Sequence, residues 1–278
     1  MGRFMKVLVI AVIGAYFFIL LYLYLYQEGI IFLPQKITEE KLVTIKKSFP
    51  DAEDITIAAS DGIKLRGWFI KNSGKEPSPL IIYFGGNAEE LSWSIAEVKN
   101  FAGWSFALIN YRGYGLSQGR PGEKHLFNDA IRIYDYFSVR NDIDRENIVL
   151  MGMSLGTAVT VYLAEKRPVK GVILISPFDS VESIAKEKFP YLPISLLLRH
   201  PFDSISRAPS IQAPALIIAA ENDTIIPLSH SLRLAEKWGG RKEVKIIKGK
   251  DHNDIVTEEY LKDVKEFLKA FTLPAPTF

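Results

Sequence analysis

Cysteine is absent from the 278 residues, which excludes a disulfide framework, a thiolate nucleophile and any cysteine-held zinc. Histidine is scarce, at four residues, and no H-E-x-x-H, Walker or EF-hand pattern occurs. No metal or other cofactor is therefore expected. A strong charge of either sign is also missing, since 34 basic side chains face 32 acidic ones. That balance argues against nucleic acid or another polyanion as the main partner. With 48% apolar and 24% charged residues, neither disorder nor a collagen-like chain fits.

One stretch lacks charge entirely. From Val7 to Tyr26, 20 successive positions carry no charged residue, no Asn, no Gln and no Pro. As a helix rising about 1.5 Å per residue, such a run matches the hydrocarbon thickness of a bilayer. Tyr22, Tyr24 and Tyr26 gather at its C-terminal end, where an aromatic ring with a polar tip suits the headgroup boundary. The rival is a cleaved signal, but Gln27-Glu28-Gly29 after a Tyr-rich run is a poor cleavage site. The expectation is an anchor over 1–26 and a single-pass protein bound to the lipid bilayer. Arg3 and Lys6 favour a cytoplasmic N-terminus and a body outside the cytoplasm, with Lys36 and Lys41 at the other end weakening the asymmetry. Setting 1–26 aside leaves 252 residues with 32 basic and 32 acidic side chains, enough for one large domain over 27–278.

Short β-rich runs alternate with helical patterns along this body, which points to an α/β sheet. Ile55–Ala59 and Lys64–Ile70 flank the turn signal Ser60-Asp61-Gly62. Continuous apolar runs at Leu80–Phe84, Phe106–Asn110, Ile148–Met151, Gly171–Ile175, Ala215–Ala220 and Glu243–Ile247 suit parallel strands covered on both faces. Helices are expected over 88–102, 123–139, 155–166, 228–238 and 257–271, and a loop over 72–79. The long departure from alternation is 177–213, with five prolines among Phe, Tyr and Leu, read as a cap inserted between two strands.

Gly152-Met153-Ser154-Leu155-Gly156 sits between an expected strand and an expected helix. In this G-x-S-x-G pattern the glycines permit a sharp turn and keep bulk away from a serine raised above the sheet. A serine hydroxyl needs a general base, and the base needs an orienting acid. His125 falls in a helix, His200 in the cap and His230 at a helix start, leaving His252 in a loop after the last strand. Asp223 follows Ala215–Ala220 as the expected acid, with Glu221 and Asp179 as replacements. The nucleophile, acid and base then come in the order Ser154, Asp223, His252. Two backbone N–H groups should face the developing oxyanion, one from Leu155 and one from Asn87 in the Gly-rich loop after Leu80–Phe84. Arg112–Gly119 comes near a dinucleotide fingerprint but opens no helix, and is read as a loop near the site.

Phe84-Gly85-Gly86-Asn87-Ala88, the run Asn110-Tyr111-Arg112-Gly113-Tyr114-Gly115-Leu116-Ser117-Gln118-Gly119, the serine elbow, Asp223 and His252 together resemble the single-pass, membrane-anchored α/β-hydrolases. That group includes bud-emergence-related hydrolases and protein depalmitoylases and is similar to monoacylglycerol lipases. The resemblance covers nearly the whole chain, including Phe32-Leu33-Pro34. It implies an α/β-hydrolase fold: a mostly parallel central sheet with helices on both faces, a small cap insertion and an N-terminal transmembrane helix. One departure is visible. The family usually has His-Gly-Asn where this chain has Gly85-Gly86-Asn87, so the side chain that braces the oxyanion loop is missing.

Phe178, Phe189, Tyr191, Leu192, Ile194, Leu196, Leu197 and Leu198 make the cap oily, as an acyl pocket requires. Phe178 and Tyr191 are the candidate substrate contacts. The expected activity is that of a serine esterase acting on small or lipid-like carboxylic esters or thioesters through an acyl-enzyme. An amidase or peptidase of the same fold, and a silent membrane-tethered binding module, remain the alternatives.

Overall fold

The structure is a computed structural model that describes residues 2–71 and 76–272. The expected loop over 72–79 therefore lies partly outside the described residues. Eight strands form one sheet: β1 (Ala52–Ala58), β2 (Lys64–Ile70), β3 (Ser78–Phe84), β4 (Ser105–Ile109), β5 (Ile143–Met153), β6 (Gly171–Ile175), β7 (Ala215–Ala220) and β8 (Lys242–Ile247). Their spatial order is β1-β2-β4-β3-β5-β6-β7-β8. β1 and β2 form the expected hairpin, β2 also runs antiparallel to β4, and every pair from β4 to β8 is parallel.

Side chains of a strand alternate between faces, and both faces of the central strands are covered. Leu80, Ile82, Phe84, Ile148 and Leu150 pack on one side against α3 (Glu123–Ser138) and α4 (Leu155–Lys166). Their neighbours Ile81, Val149 and Met151 pack on the other, against α8 (Glu258–Thr272) and a 3-10 helix, Leu91–Phe101. This two-sided burial is why these strands read as unbroken apolar runs. α7 (Leu228–Lys237) covers the far edge through Leu234 and Ala235.

Local chemistry moves two boundaries. The helix expected from residue 88 starts at Leu91, because Ala88 holds a left-handed φ of 61° and Glu90 is the extended capping residue whose side chain accepts from Ser92 N–H. A helix not anticipated, α2 (Glu39–Ser48), is capped by Thr38, whose side chain accepts from Lys41 N–H, with Glu39 and Glu40 in its first turn and Lys46 and Lys47 in its last. These charges complement the helix dipole, while Leu42 and Ile45 are buried.

α1 (Gly2–Ile31) is long and apolar enough to cross a membrane, with no part of its most apolar window buried. Gln27 is its buried residue. Phe32 then enters the body, with its ring 5.3 Å from that of His200 and 6.1 Å from that of Phe202. The cap between β6 and β7 holds α5 (Val181–Lys188), capped by Ser180, and a single turn α6 (Ile194–Leu197).

Candidate active site

The parallel strands end on one edge of the sheet, the place where α/β folds build their sites. Ser154 occupies the turn from β5 into α4 with φ 50° and ψ −118°, a left-handed conformation that costs a non-glycine residue about 1–3 kcal/mol. Three hydrogen bonds hold it there. Its N–H donates to Ile175 O at 2.9 Å, and its carbonyl accepts from Thr157 N–H at 2.9 Å and Thr157 Oγ1 at 2.6 Å. Both elbow glycines are sterically required. A Cβ on Gly152 would stand 2.4 Å from Thr160 Oγ1, and one on Gly156 would stand 2.0 Å from Phe84 O.

Asp223 follows β7 and His252 follows β8. His252 Nδ1 lies 2.7 Å from Asp223 Oδ2, with both residues buried. The other carboxylate oxygen, Oδ1, accepts from Ile225 N–H at 3.0 Å and Ile226 N–H at 2.6 Å, which fixes the rotamer of the acid. The His252 loop is tied down by Asp251, whose Oδ1 accepts from His252 N–H and Thr224 N–H. These backbone bonds hold the Asp251 carboxyl below its usual range. Glu221 and Asp179 are engaged elsewhere: Glu221 Oε2 accepts from Gly249 N–H, and Asp179 meets a different histidine. Among the described residues no hydrogen bond joins Ser154 Oγ to the ring of His252.

The loop after β3 passes directly over the serine, since a Cβ on Gly86 would lie 3.7 Å from Ser154 Cβ. Its bracing is supplied by residues that the sequence reading did not single out. Glu89 Oε2 accepts from Gly86 N–H at 2.7 Å, Tyr83 Oη donates to the same carboxyl, and Tyr111 Oη donates to Gly85 O at 2.9 Å. Burial pushes the Glu89 carboxyl above its usual range. The Asn87 side chain holds the exit of α1: Nδ2 donates to Ile31 O at 2.6 Å, and Oδ1 accepts from Leu33 N–H at 2.9 Å and Tyr114 Oη at 2.8 Å. Burial of that tyrosine pushes it up to about 12. The Asn87 and Leu155 N–H groups find no acceptor among the described residues; for Leu155 this is the ordinary state of a first helical position.

Ser154, Leu155 and Asn87 line a cavity of about 540 Å³, within the usual range for small-molecule sites. Its remaining wall is mostly aliphatic: Ile184, Leu192, Leu197 and Leu198 from the cap, Ile225 and Ile226 from the loop after β7, and Leu23, Ile30 and Ile31 from α1. Ile226 thus connects the two halves of the site, lining the cavity and donating to Asp223. The two substrate contacts expected in the cap lie elsewhere. Phe178 is buried in the core at 2% exposure, and Tyr191 is 90% exposed on the outer surface. Phe178 packs into the core at the very start of the cap, just after Ser176 takes a left-handed φ of 46°, and the pocket is lined instead from helices α5 and α6.

A second buried histidine–aspartate pair lies beside the cap. His230 Nδ1 is 2.7 Å from Asp179 Oδ1, Arg233 Nε donates to Asp179 Oδ2 at 2.7 Å, and His230 Nε2 faces Glu187 at 3.2 Å. Burial alone would raise the Asp179 pKa, but the hydrogen bonds from Arg233 and His230 hold it below its usual value.

Comparison with known proteins agrees with this architecture. A family described as the alpha/beta hydrolase fold matches residues 79–194, and one described as serine hydrolase matches residues 137–255. The uncharacterized protein Rv2307c of Mycobacterium tuberculosis is 32% identical over 85% of this chain and 84% of its own length. The uncharacterized membrane protein YNL320W of Saccharomyces cerevisiae is 32% identical over 78% of this chain and 79% of its own. Among solved structures, an acetyl xylan esterase from Paenibacillus superposes with a TM-score of 0.67, at 19% identity, over 88% of this chain and 99% of its own; at that identity the likeness is one of fold. A serine on a strained strand-to-helix turn, a buried His–Asp pair on the same sheet edge and relatives of matching length lead to one assignment: the chain belongs to the α/β-hydrolase family, among its serine hydrolases.

Proposed function

We propose that the chain is a serine esterase that forms an acyl-enzyme on Ser154. The observation that carries this reading is the elbow serine, held at φ 50° in the lining of a mostly aliphatic cavity, with the His252–Asp223 pair anchored on the same sheet edge.

In the first half-reaction Ser154 Oγ attacks the ester carbonyl carbon while His252 Nε2 takes its proton. Asp223 holds Nδ1–H and stabilises the imidazolium. The Leu155 and Asn87 N–H groups receive the oxyanion, the term that usually contributes most to acyl transfer. The tetrahedral species then expels the alcohol, which takes the proton from His252. Water enters, gives a proton to His252 and attacks the acyl carbon, and the carboxylic acid leaves as Ser154 Oγ takes that proton from His252, the acid then losing its own proton to solvent.

The aliphatic wall favours an acyl group over a polar one, which supports a lipid-like ester. In this reading α1 spans the bilayer, with Arg3 and Lys6 on the cytoplasmic side and the hydrolase body outside. Protease added to intact cells should then remove the body; protection until lysis would reverse the orientation. For the chemistry, rapid mixing with p-nitrophenyl acetate should release a burst of nitrophenol close to one equivalent per enzyme, absent in Ser154→Ala. Turnover by Ser154→Ala at the wild-type rate would refute the mechanism.

A further inference from the structure

We infer that the N-terminal helix is itself a wall of the substrate site, so that the enzyme takes the acyl chain of a membrane-lipid ester directly from the leaflet beside that helix. This rests on the esterase reading above and adds the source of the substrate to it. Leu23, Ile30 and Ile31 line the same cavity as Ser154. The helix is fixed in that position by its one buried residue: Gln27 Nε2 donates to Leu197 O at 2.9 Å and its Oε1 accepts from Arg199 N–H at 2.7 Å. Both partners belong to the cap, so helix and cap form one structure around the cavity.

The cap also follows the helix along its apolar run. Tyr16 Oη donates to Tyr191 O at 2.9 Å, and Tyr16 precedes Gln27 by about 16 Å of helix. When residues 7–26 cross a bilayer, a cap segment touching Tyr16 lies below the headgroups. That segment exposes the side chains a hydrocarbon environment requires: Tyr191 is 90% exposed, Leu196 84% and Phe189 54%. A polar belt sits about two to three turns further along, where Arg199 pairs with Glu28 at 3.3 Å and its guanidinium lies 5.4 Å from the Tyr24 ring. This belt suits the headgroup boundary, where charged and aromatic side chains gather. The cavity wall from Leu23 to Ile31 straddles that boundary. An acyl chain entering between α1 and the cap stays in an apolar medium as its ester carbonyl approaches Ser154.

The test uses the full chain in phosphatidylcholine vesicles. Because cysteine is absent, Leu196→Cys gives one labelling site at the cap tip, and Val139→Cys gives another on exposed surface at the end of α3 away from the cap. A bimane on residue 196 should be quenched by lipids carrying a nitroxide on the acyl chain at least threefold more than one on residue 139. Equal quenching overturns the inference, whatever the chemistry at Ser154. In parallel, Leu23→Trp should lower the ratio of palmitoyl to acetyl ester turnover about tenfold. Leu25→Trp, on an exposed position outside the cavity wall, should leave that ratio as in the wild type. An unchanged ratio in Leu23→Trp overturns the inference while the esterase reading stands; a wild type inert toward the acetyl ester overturns the esterase reading itself.

Discussion

His252–Asp223 and His230–Asp179 share a geometry, with Nδ1 at 2.7 Å from a carboxylate oxygen and both members buried, yet in the proposed mechanism only the first does acyl chemistry. The difference lies in what surrounds each pair. Arg233 and Glu187 close around His230, and its aspartate opens the cap, accepting from Ser180 N–H and Ser183 Oγ. That pair joins cap to α7. Among the described residues no such ring of charges surrounds His252, and its aspartate is held on the other oxygen by the backbone N–H groups of Ile225 and Ile226, the second of which lines the cavity with Ser154. A short His–Asp contact is therefore a poor marker of catalysis on its own. In the proposed mechanism, what surrounds the imidazole and where its acid sits decide its role.

Substitutions should separate the two pairs most sharply at the histidines. His252→Ala is expected to lower ester kcat by about 10³-fold or more, because triad members act as a unit. His230→Ala should stay within about tenfold of the wild type and lose stability instead, as measured by steady-state kinetics beside thermal unfolding. Comparable loss of kcat in the two variants would erase the distinction. The acids come next. Asp223→Asn should cost about 10²–10⁴-fold in kcat by fixing the wrong tautomer of His252. Asp179→Asn should cost about 3 kcal/mol of stability by stranding Arg233 and His230, with the chemistry largely kept.

The stability difference at Asp179 should also depend on pH. With its folded pKa held low, the contribution is fully present above the unfolded value near 3.9 and fades as pH falls through the folded value. Urea titrations of wild type and Asp179→Asn at pH 7 and pH 3 should show the gap narrowing in acid. The smallest effect concerns Glu89, whose folded pKa burial raises. Its ionised form costs stability as pH rises above about 4.5, so Glu89→Gln should gain on the wild type in melting temperature between pH 4 and pH 8. Glu89→Ala, which leaves Gly86 N–H without its acceptor, should lower kcat about tenfold through the oxyanion loop.

The sheet was readable because its signals are local. Unbroken apolar runs such as Leu80–Phe84 and Ala215–Ala220 announce strands covered on both faces, and G-x-S-x-G marks a turn that only glycine at 152 and 156 can accommodate. α2 escaped notice because its two buried residues, Leu42 and Ile45, make a thin apolar stripe in a charged segment. The bracing of the loop after β3 was hidden for a different reason. With His replaced by Gly85, support comes from Glu89, Tyr83 and Tyr111, and Tyr111 lies 26 residues away in the chain. The cavity wall supplied by α1 was the least visible part. Leu23 lies in a run whose every residue suits lipid and Ile30 just beyond it, and the contacts that hold this helix against the cap, Gln27 with Leu197 and Tyr16 with Tyr191, join residues 170 and 175 apart in the chain. Phe178 and Tyr191 show the same limit from the other side, since an oily cap does not reveal which of its residues face inward.

Labelling with a fluorophosphonate tests the central claim most directly, because stable phosphonylation requires a serine made nucleophilic by its neighbours. Intact-mass measurement should show one adduct on the wild type, mapped to Ser154, none on Ser154→Ala and sharply slowed labelling of His252→Ala, with His230→Ala labelled at near the wild-type rate. An unlabelled wild type, or an adduct on another serine, would contradict the account.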